Sequence, residues 1–244
     1  MPEPVPRDRD ERELRSIDEV ITGLESLIHG TAGRANARAD AVSDHPRLIV
    51  GIAGSPGSGK STIGATLVER LNAAPSPAMQ STGEPRAVLL PMDGFHLPQA
   101  RLVELGRRDR MGAPDTFDVG GFVSTLHALR AVGHEPVPVP GFDREIEEPV
   151  PDSMSIPATA SIVVVEGNYL LMQSGGWQNV LPLLDTSYFV ELERGIRLER
   201  LIARHEQFGK SPDAARDWAL GPDEANARLI EESAAQAMHR IRLD

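Results

Sequence analysis

Residues 47–61 read RLIVGIAGSPGSGKS, an apolar run that leads into a turn rich in glycine and serine. The stretch over 54–61, GSPGSGKS, matches the pattern GxxxxGK[ST] at every position. Glycines at 54, 57 and 59 let the backbone curl until several N–H groups face one point, and they leave room for a phosphate to approach. The stretch therefore predicts a buried strand, a phosphate-binding loop and the first turn of a helix.

The polar residues of this loop have predicted roles in binding ATP with Mg²⁺. Lys60 is expected to reach the β- and γ-phosphates, and the hydroxyl of Ser61 is expected to ligate the metal. The positive end of the following helix adds to the attraction for phosphate. The chain has only one other lysine, Lys210, and it lies in no [NT]KxD motif of the kind that a GTPase carries. The predicted nucleotide-binding residues are Gly54, Ser55, Gly57, Ser58, Gly59, Lys60, Ser61 and Thr62.

The composition limits the classes of protein to which the chain can belong. It has 244 residues, a formal net charge of -11 and no cysteine. The acidic balance argues against broad binding of nucleic acid or anionic membranes, and the lack of cysteine excludes disulfides and thiolate metal sites. No apolar run approaches the roughly 18 residues that span a bilayer, and the charged N-terminus does not resemble a secretory signal. We therefore expect a cytoplasmic protein with no nucleic-acid or membrane partner.

Strand-like and helix-like segments alternate through most of residues 47–207. This order predicts an α/β protein of the P-loop NTPase fold, in which a parallel sheet carries helices on both faces. We expect an N-terminal helical extension and linker over 1–45, and a P-loop domain over 46–244 with a helical lid at about 194–220. The predicted strands are 47–54, 87–93, 137–140, 161–167, 187–193 and an edge strand at the C-terminus, and the predicted helices are 11–30, 60–72, 98–106, 119–132, 194–207, 211–219 and 222–237.

Two acidic residues stand at the ends of predicted strands. Asp93 follows AVLLPM, and Glu166 follows IVVV. Ligands of open α/β sheets bind beyond the carboxyl ends of the strands, so both acids are expected near the phosphate-binding loop. Phosphoryl transfer to a hydroxyl needs a proton acceptor and an organiser for the metal. Asp93 is the candidate for the first task, while Glu166 could hold Mg²⁺ with Ser61 or bind an acceptor hydroxyl. The alternative is that each acid merely caps a helix or ends a strand.

A stripe of arginines follows the last long strand. Arg197, Arg200 and Arg204 share one face of a predicted helix, and on a mobile lid they would stabilise charge on a transferred phosphoryl group. Arg204 is the catalytic candidate from this stripe. The alternative is a solvated face that pairs with neighbouring glutamates.

Three more residues are candidates for contacts with the acceptor. Arg110 belongs to an arginine cluster at 101–110, between the strand that precedes Asp93 and the predicted helix at 119–132. Arg144 lies in the segment PGFDRE. His96 follows Asp93 closely, and a pocket role and a plain turn role are equally compatible with its position.

Five motifs occur in a fixed order along the chain: GIAGSPGSGKST, PMDGFH, APDTFD, PGFDRE and VVVEGNYLL. Together they resemble the phosphoribulokinase/uridine kinase family over about residues 47–235. The DGF after the second strand looks most like the bacterial pantothenate kinase branch, and like a bacterial branch of nucleoside or fructose-type sugar kinases. The resemblance implies that Asp93 activates the acceptor, that Glu166 is the acid of the family's EG motif, and that Arg144 contacts the acceptor. Uridine kinases tend to carry DDFY where this chain has DGFH.

These observations lead to one expected activity and one alternative. The expected activity is ATP-dependent phosphorylation of a hydroxyl on a small metabolite, which would be a sugar, a nucleoside or a pantothenate-like molecule, by in-line transfer. The alternative is a regulatory P-loop NTPase that hydrolyses nucleotide to switch a protein partner. A small-molecule hydroxyl acceptor is the expected partner, and a homodimer is left open.

Overall fold

The computed structural model describes residues 18–19, 21–26, 47–73, 83–131 and 135–243. Five parallel strands form its central sheet: β1 (Leu48–Gly54), β2 (Ala87–Pro91), β5 (Ile162–Gly167), β6 (Thr186–Leu192) and β7 (His239–Leu243). Their order across the sheet is β2–β5–β1–β6–β7. The predicted edge strand at the C-terminus is therefore present as β7. The remaining strands, β3 (Val137–Asp143) and β4 (Glu148–Ile156), form a separate antiparallel ribbon.

Helices cover both faces of the sheet. Every residue of β1 and β5 is buried, which explains why both strands are continuous apolar runs rather than alternating ones. On one face Val50 and Ile52 pack with Ile63 and Leu67, and on the other Val163 packs within a cluster rich in aromatic residues. The predicted fold class is confirmed. The helices are α1 (Lys60–Ala73), α2 (Gln99–Glu104), α3 (Val119–Arg130), α4 (Arg194–Gln207), α5 (Pro212–Trp218) and α6 (Glu224–Glu232).

Part of the N-terminal extension packs against this domain. Residues 18–19 and 21–26 are helical and lie within the helix predicted over 11–30. Ile21 and Leu24 are buried in the same cluster as the apolar face of α1, and Asp18 pairs with Arg70 of that helix at 2.5 Å. The rest of the predicted extension and linker, and residues 74–82 of the loop after α1, lie outside the described residues. Within the described ranges, no helix combines the length and apolar character needed to cross a bilayer.

The predicted lid corresponds to α4, α5 and the turn that joins α5 to α6. That turn, Ala219–Asp223, is a single π-helical turn that contains Pro222. Such turns change the direction in which side chains point and often occur at functional sites. Leu198 and Leu201 of α4 and Ala219 of the π turn form a small core of their own. This segment therefore packs on itself.

The ribbon of β3 and β4 differs from the sequence prediction, which left most of residues 133–160 irregular. Strand β3 is longer than predicted, and β4 was not predicted. Positions 150–155 of β4 are all exposed, so the strand lacks the buried alternation that signals a sheet. Pro149 and Pro151 also argue against a strand, although an edge strand tolerates proline.

The ribbon packs tightly against the turn that follows β2. A 3-10 turn, Met92–Phe95, begins where β2 ends and carries Asp93. A Cβ atom on Gly94 would lie 2.2 Å from the carbonyl oxygen of Pro140 in β3. Only glycine fits between the turn and the ribbon without a shift of backbone, so Gly94 sets the distance between Asp93 and the β3–β4 ribbon.

Replacing Gly94 by Ala should therefore destabilise the protein. The new methyl group meets a backbone oxygen that cannot rotate away, and we expect a loss of about 2 kcal/mol in the free energy of unfolding. Urea unfolding followed by circular dichroism measures this loss. The matched control is Gly120→Ala, because the exposed Gly120 lies in α3 and a Cβ there is 3.7 Å from its nearest atom. The control should be neutral or slightly stabilising, and equal effects of the two substitutions would contradict the packing argument.

Candidate active site

The carboxyl ends of β1, β2 and β5 bring three charged residues into one pocket. Glu166 in β5 is flanked in register by Ile52 of β1 and Pro91 of β2. The chain leaves β1 into the glycine-rich loop and leaves β2 into the turn that carries Asp93. Lys60, Asp93 and Glu166 all line a pocket of about 200 Å³ at this edge. The expectation that strand ends would gather these residues is met in the structure.

The glycine-rich loop closes against helix α4. Gly57 and Gly59 have φ angles of 81° and 91°, which other residues rarely adopt. A Cβ on Gly57 would lie 2.8 Å from Cγ of Leu201 and 2.9 Å from the carbonyl oxygen of Arg197. The loop therefore has the backbone conformation of a phosphate cradle and touches the first helix of the lid directly.

Lys60 and Glu166 are both buried in the pocket, and each acts on the pKa of the other through its charge. The side chain of Lys60 is at the N-terminal end of α1, and the residue is only 9% exposed. Burial lowers the pKa of Lys60, and the negative charges of Glu166 and Asp93 oppose that shift. Burial raises the pKa of Glu166, the nearby Asp93 raises it further, and Lys60 opposes the shift. The hydroxyl of Ser61 donates a hydrogen bond of 3.1 Å to Oε2 of Glu166.

Asp93 is held in its charged form by the cations around it. Burial alone would raise its pKa, but His96 when protonated, Arg144 and Lys60 together outweigh burial, so the pKa lies below its ordinary value. Nη2 of Arg144 donates a hydrogen bond of 2.7 Å to Oδ2 of Asp93. The side chain of Asp93 keeps 27% of its surface exposed. A carboxylate at this position is therefore ionised at neutral pH and still accessible from the pocket.

The pocket suits a nucleotide with its metal better than a metal alone. Among the described residues, no group of three or more His, Cys, Asp or Glu side chains could hold an ion. Ser61 and Glu166 offer two oxygens at the mouth of the loop, and Mg²⁺ in phosphate-transfer sites is commonly bound by one or two protein oxygens together with substrate phosphates. The ammonium of Lys60 and the glycine cradle supply the phosphate contacts. The residues present therefore fit Mg²⁺ bound together with a polyphosphate.

Some predicted site residues lie away from this pocket. Ser55 and Ser58 line a second cavity of about 310 Å³ behind the loop. Thr62 is exposed on α1. Arg110 is not among the residues that line the active-site pocket, because the turn Arg108–Arg110 directs it outward, where it forms two hydrogen bonds with the carboxylate of Asp115. In this structure Arg110 therefore lies outside the pocket, and its predicted contact with the acceptor stays a prediction.

The arginine stripe of α4 divides into three environments. Arg204 lines the pocket. Arg197 is buried, and its Nη2 donates a hydrogen bond of 2.6 Å to Glu224 at the start of α6. Arg200 is exposed, and its Nη1 lies 3.7 Å from the place where a Cβ on Gly59 would be. The stripe is thus neither a uniform solvated face nor a uniform wall of the pocket.

Several pocket residues were not singled out by sequence reasoning. Arg108, rather than Arg110, lines the pocket, and its Nη2 donates to Glu147 in the turn between β3 and β4. Asn168 directly follows the EG of β5, so its position at a strand end could have identified it. The pair of His205 and Asp223, 2.7 Å apart, joins α4 to the π turn and has no local sequence pattern. The other unpredicted lining residues include Met111, Phe117, Phe142, Lys210, Trp218 and Asn226.

The comparisons with known proteins agree with this geometry. The sequence matches the phosphoribulokinase/uridine kinase family over residues 49–225. The uncharacterized protein YggC of Escherichia coli K12 is 33% identical over 196 residues, which cover 80% of this chain and 78% of YggC. A Schizosaccharomyces pombe protein with the provisional name uridine kinase C227.14 is 31% identical over 177 residues, 70% of this chain and 71% of its own. A crystal structure from Silicibacter sp. TM1040, provisionally named a fructose transport system kinase, has a TM-score of 0.72 and 35% identity and covers 89% of this chain and 98% of that one.

Replacing Arg144 by Gln should change how stability depends on pH. A carboxylate with a lowered pKa stabilises the folded state above its unfolded pKa, and that contribution is lost as the pH falls through the lowered value. Near neutral pH we expect the variant to lose up to about 1 kcal/mol, because the ion pair is partly exposed. The difference from wild type should shrink below about pH 4, where Asp93 takes up a proton in the unfolded chain. Urea unfolding of the variant and the wild type, at neutral pH and below about pH 4, measures this difference in the free energy of unfolding.

The control for this experiment is Arg101→Gln. Arg101 pairs with Glu104 on the exposed side of α2, and both side chains are more than half exposed. This substitution should change stability little at either pH. A loss in Arg144→Gln that stays constant from neutral pH down to acid pH would contradict the assignment of Asp93 as an ionised partner.

Proposed function

Because the chain belongs to the phosphoribulokinase/uridine kinase family, we propose that it transfers the γ-phosphate of ATP directly to a hydroxyl of a small metabolite. The family assignment makes the chain a P-loop kinase that phosphorylates small metabolites. The observation that carries the finer proposal is the shared position of Lys60, Asp93 and Glu166 at one edge of the sheet. Lys60 provides the phosphate contact, and Asp93 faces the same pocket from a different strand. That separation leaves room for an acceptor beside the phosphates.

The loop and Lys60 bind the polyphosphate in this proposal. Backbone N–H groups of the glycine-rich loop would bind phosphate oxygens, and the ammonium of Lys60 would pair with the β- and γ-phosphate oxygens. Glu166 and the hydroxyl of Ser61 would hold Mg²⁺. When bound, Mg²⁺ neutralises phosphate charge that the protein would otherwise have to balance alone. The raised pKa of Glu166 shows that burial disfavours its charged form, and a bound cation beside the carboxylate would stabilise that form.

Asp93 orients the acceptor and takes its proton. Its carboxylate is ionised and accessible, and Arg144 bonds only one of its two oxygens. The acceptor hydroxyl donates its hydrogen bond to Asp93, which aims the oxygen at the γ-phosphorus. Asp93 accepts the proton as the new P–O bond forms and the bond from the γ-phosphorus to the bridging oxygen breaks, which releases ADP. Arg144 holds the carboxylate in place.

Arg204 contributes from the lid. It lines the pocket opposite the strand ends and acts on the pKa of Lys60 and of Asp93 through its charge. A guanidinium there stabilises the charge that spreads over the transferred phosphoryl group. The regulatory NTPase alternative is less well supported, since a switch needs no pocket beyond the phosphates and this one extends through Asp93 and His96 to Phe142.

Replacing Asp93 by Asn should remove phosphoryl transfer and leave nucleotide binding intact. The amide cannot accept the proton, so kcat should fall by about 10²- to 10⁴-fold. Transfer is measured as acceptor-dependent formation of ADP, and nucleotide affinity by isothermal titration with a non-hydrolysable ATP analogue. The matched control is Asp115→Asn, since Asp115 lies outside the pocket and bonds Arg110. Turnover near the wild-type rate in Asp93→Asn would show that Asp93 does not have this role.

Lys60→Ala should weaken nucleotide binding and transfer together. The substitution removes the only cation that the glycine-rich loop itself contributes. A melting curve shows whether the variant remains folded, and the same titration reports its affinity. Unchanged affinity in a folded variant would contradict the assignment of the loop.

A further inference from the structure

His96 has one ring nitrogen fixed by the backbone. Its Nδ1 lies 2.8 Å from the carbonyl oxygen of Asp93. A carbonyl oxygen carries no hydrogen, so Nδ1 must be the donor of this bond. Burial lowers the pKa of His96, so the ring is neutral near pH 7. In a neutral ring with its hydrogen on Nδ1, Nε2 is a hydrogen-bond acceptor.

Neighbouring aromatic rings hold His96 in this orientation. The ring centroid of Phe117 lies 4.0 Å away and that of Phe142 lies 4.8 Å away. All three residues line the active-site pocket. The backbone of His96 is further fixed by a bridge to Phe117. The acceptor nitrogen Nε2 is therefore held three residues from Asp93, on the turn that presents the proposed base.

Asn168 adds no acceptor atom to the pocket in this conformation. It follows β5 and lines the pocket, but its Oδ1 is buried, without a hydrogen-bond partner among the described residues. A buried oxygen leaves no place for a ligand hydroxyl at hydrogen-bond distance. Asp93 and His96 therefore offer the acceptor atoms to whatever fills this part of the pocket.

The cations on this side of the pocket already have partners. Arg144 bonds Asp93. Arg108 donates from Nε to Gln99 at 2.9 Å and from Nη2 to Glu147 at 3.1 Å. An acceptor molecule with a carboxylate or phosphate would have to compete with these carboxylates for their arginines. The remaining cations of the pocket, Lys60, Arg204 and Lys210, belong to the phosphate loop and the lid.

We propose that the acceptor is an uncharged polyhydroxylated molecule of the sugar or alditol type, and that His96 selects it by accepting a hydrogen bond from a second hydroxyl. This inference rests on the proposed kinase function. One hydroxyl donates to Asp93 and is phosphorylated, and a neighbouring hydroxyl donates to Nε2 of His96. A donor-rich, uncharged ligand satisfies these atoms without displacing either ion pair.

The first experiment compares acceptors with the full chain and Mg-ATP. One set contains uncharged sugars and alditols, and the other contains glycerate and pantothenate, which carry a carboxylate. We expect kcat/KM to be highest for a member of the uncharged set. A series of deoxy analogues of that acceptor then removes one hydroxyl at a time. The analogue that lacks the hydroxyl bonded by His96 should have a kcat/KM about 10- to 100-fold lower, because Nε2 is left without a hydrogen-bond partner.

The second experiment uses two substitutions of His96, each of which keeps the hydrogen-bonding function of a different ring nitrogen. In His96→Asn the amide nitrogen can replace Nδ1 in its bond to Asp93, and nothing replaces Nε2. In His96→Gln a carbonyl oxygen can take the place of Nε2. We expect His96→Asn to lower kcat/KM by about 10- to 100-fold for the parent acceptor. It should have little effect on the deoxy analogue that lacks the hydroxyl bonded by His96. His96→Gln should recover part of the loss, and melting curves check that both variants are folded.

The outcomes separate this inference from the function on which it rests. Turnover stimulated best by a carboxylate-bearing acceptor would overturn the inference and leave the kinase function intact. So would a His96→Asn variant that loses the same factor with the parent acceptor and with every deoxy analogue. ATP turnover that no acceptor stimulates would overturn the proposed function, and the inference with it. A selective loss in His96→Asn that His96→Gln restores supports the inference.

Discussion

The buried position of Lys60 between two carboxylates is the interaction on which the rest of the site depends. An ammonium this deeply buried is costly unless anions lie close to it, and Glu166 and Asp93 provide them. The carboxylates in turn depend on the cation, since burial raises the pKa of Glu166. The three charges lie together because the ends of β1, β2 and β5 are side by side in the sheet. Arg144 supplies a second cation, which pairs with Asp93 at 2.7 Å.

Close backbone contacts join these residues to the α4 helix and to the β3–β4 ribbon. Gly57 lets the phosphate loop touch the first lid helix, and Gly94 lets the turn with Asp93 touch the β3–β4 ribbon. The buried bond between Arg197 and Glu224 then ties that lid helix to α6. A displacement of the lid or of the ribbon therefore acts directly on the residues that hold the phosphates and the acceptor.

The sequence was sufficient to predict the elements and site residues whose structure follows from local patterns. β1 and β5 were predicted to within a residue because strands buried on both faces are continuous apolar runs. The acids at the strand ends were found because the position of a ligand site follows from the parallel sheet. β4 was missed because its side chains are exposed and it contains prolines. Arg108 and Arg110 could not be told apart, since a tight turn decides which of two nearby arginines faces inward. The pair of His205 and Asp223 joins elements that are distant in sequence, so no local pattern could reveal it.

Phosphorus NMR of the protein with Mg-ATP and a mixture of uncharged polyols tests the central claim most directly. Direct transfer predicts that the γ-phosphate signal of ATP is replaced by a phosphomonoester signal, which grows in step with ADP. If the γ-phosphate appears instead as inorganic phosphate, whatever polyol is present, the pocket beside Asp93 does not hold a phosphate acceptor of the proposed class and the account of the site is wrong.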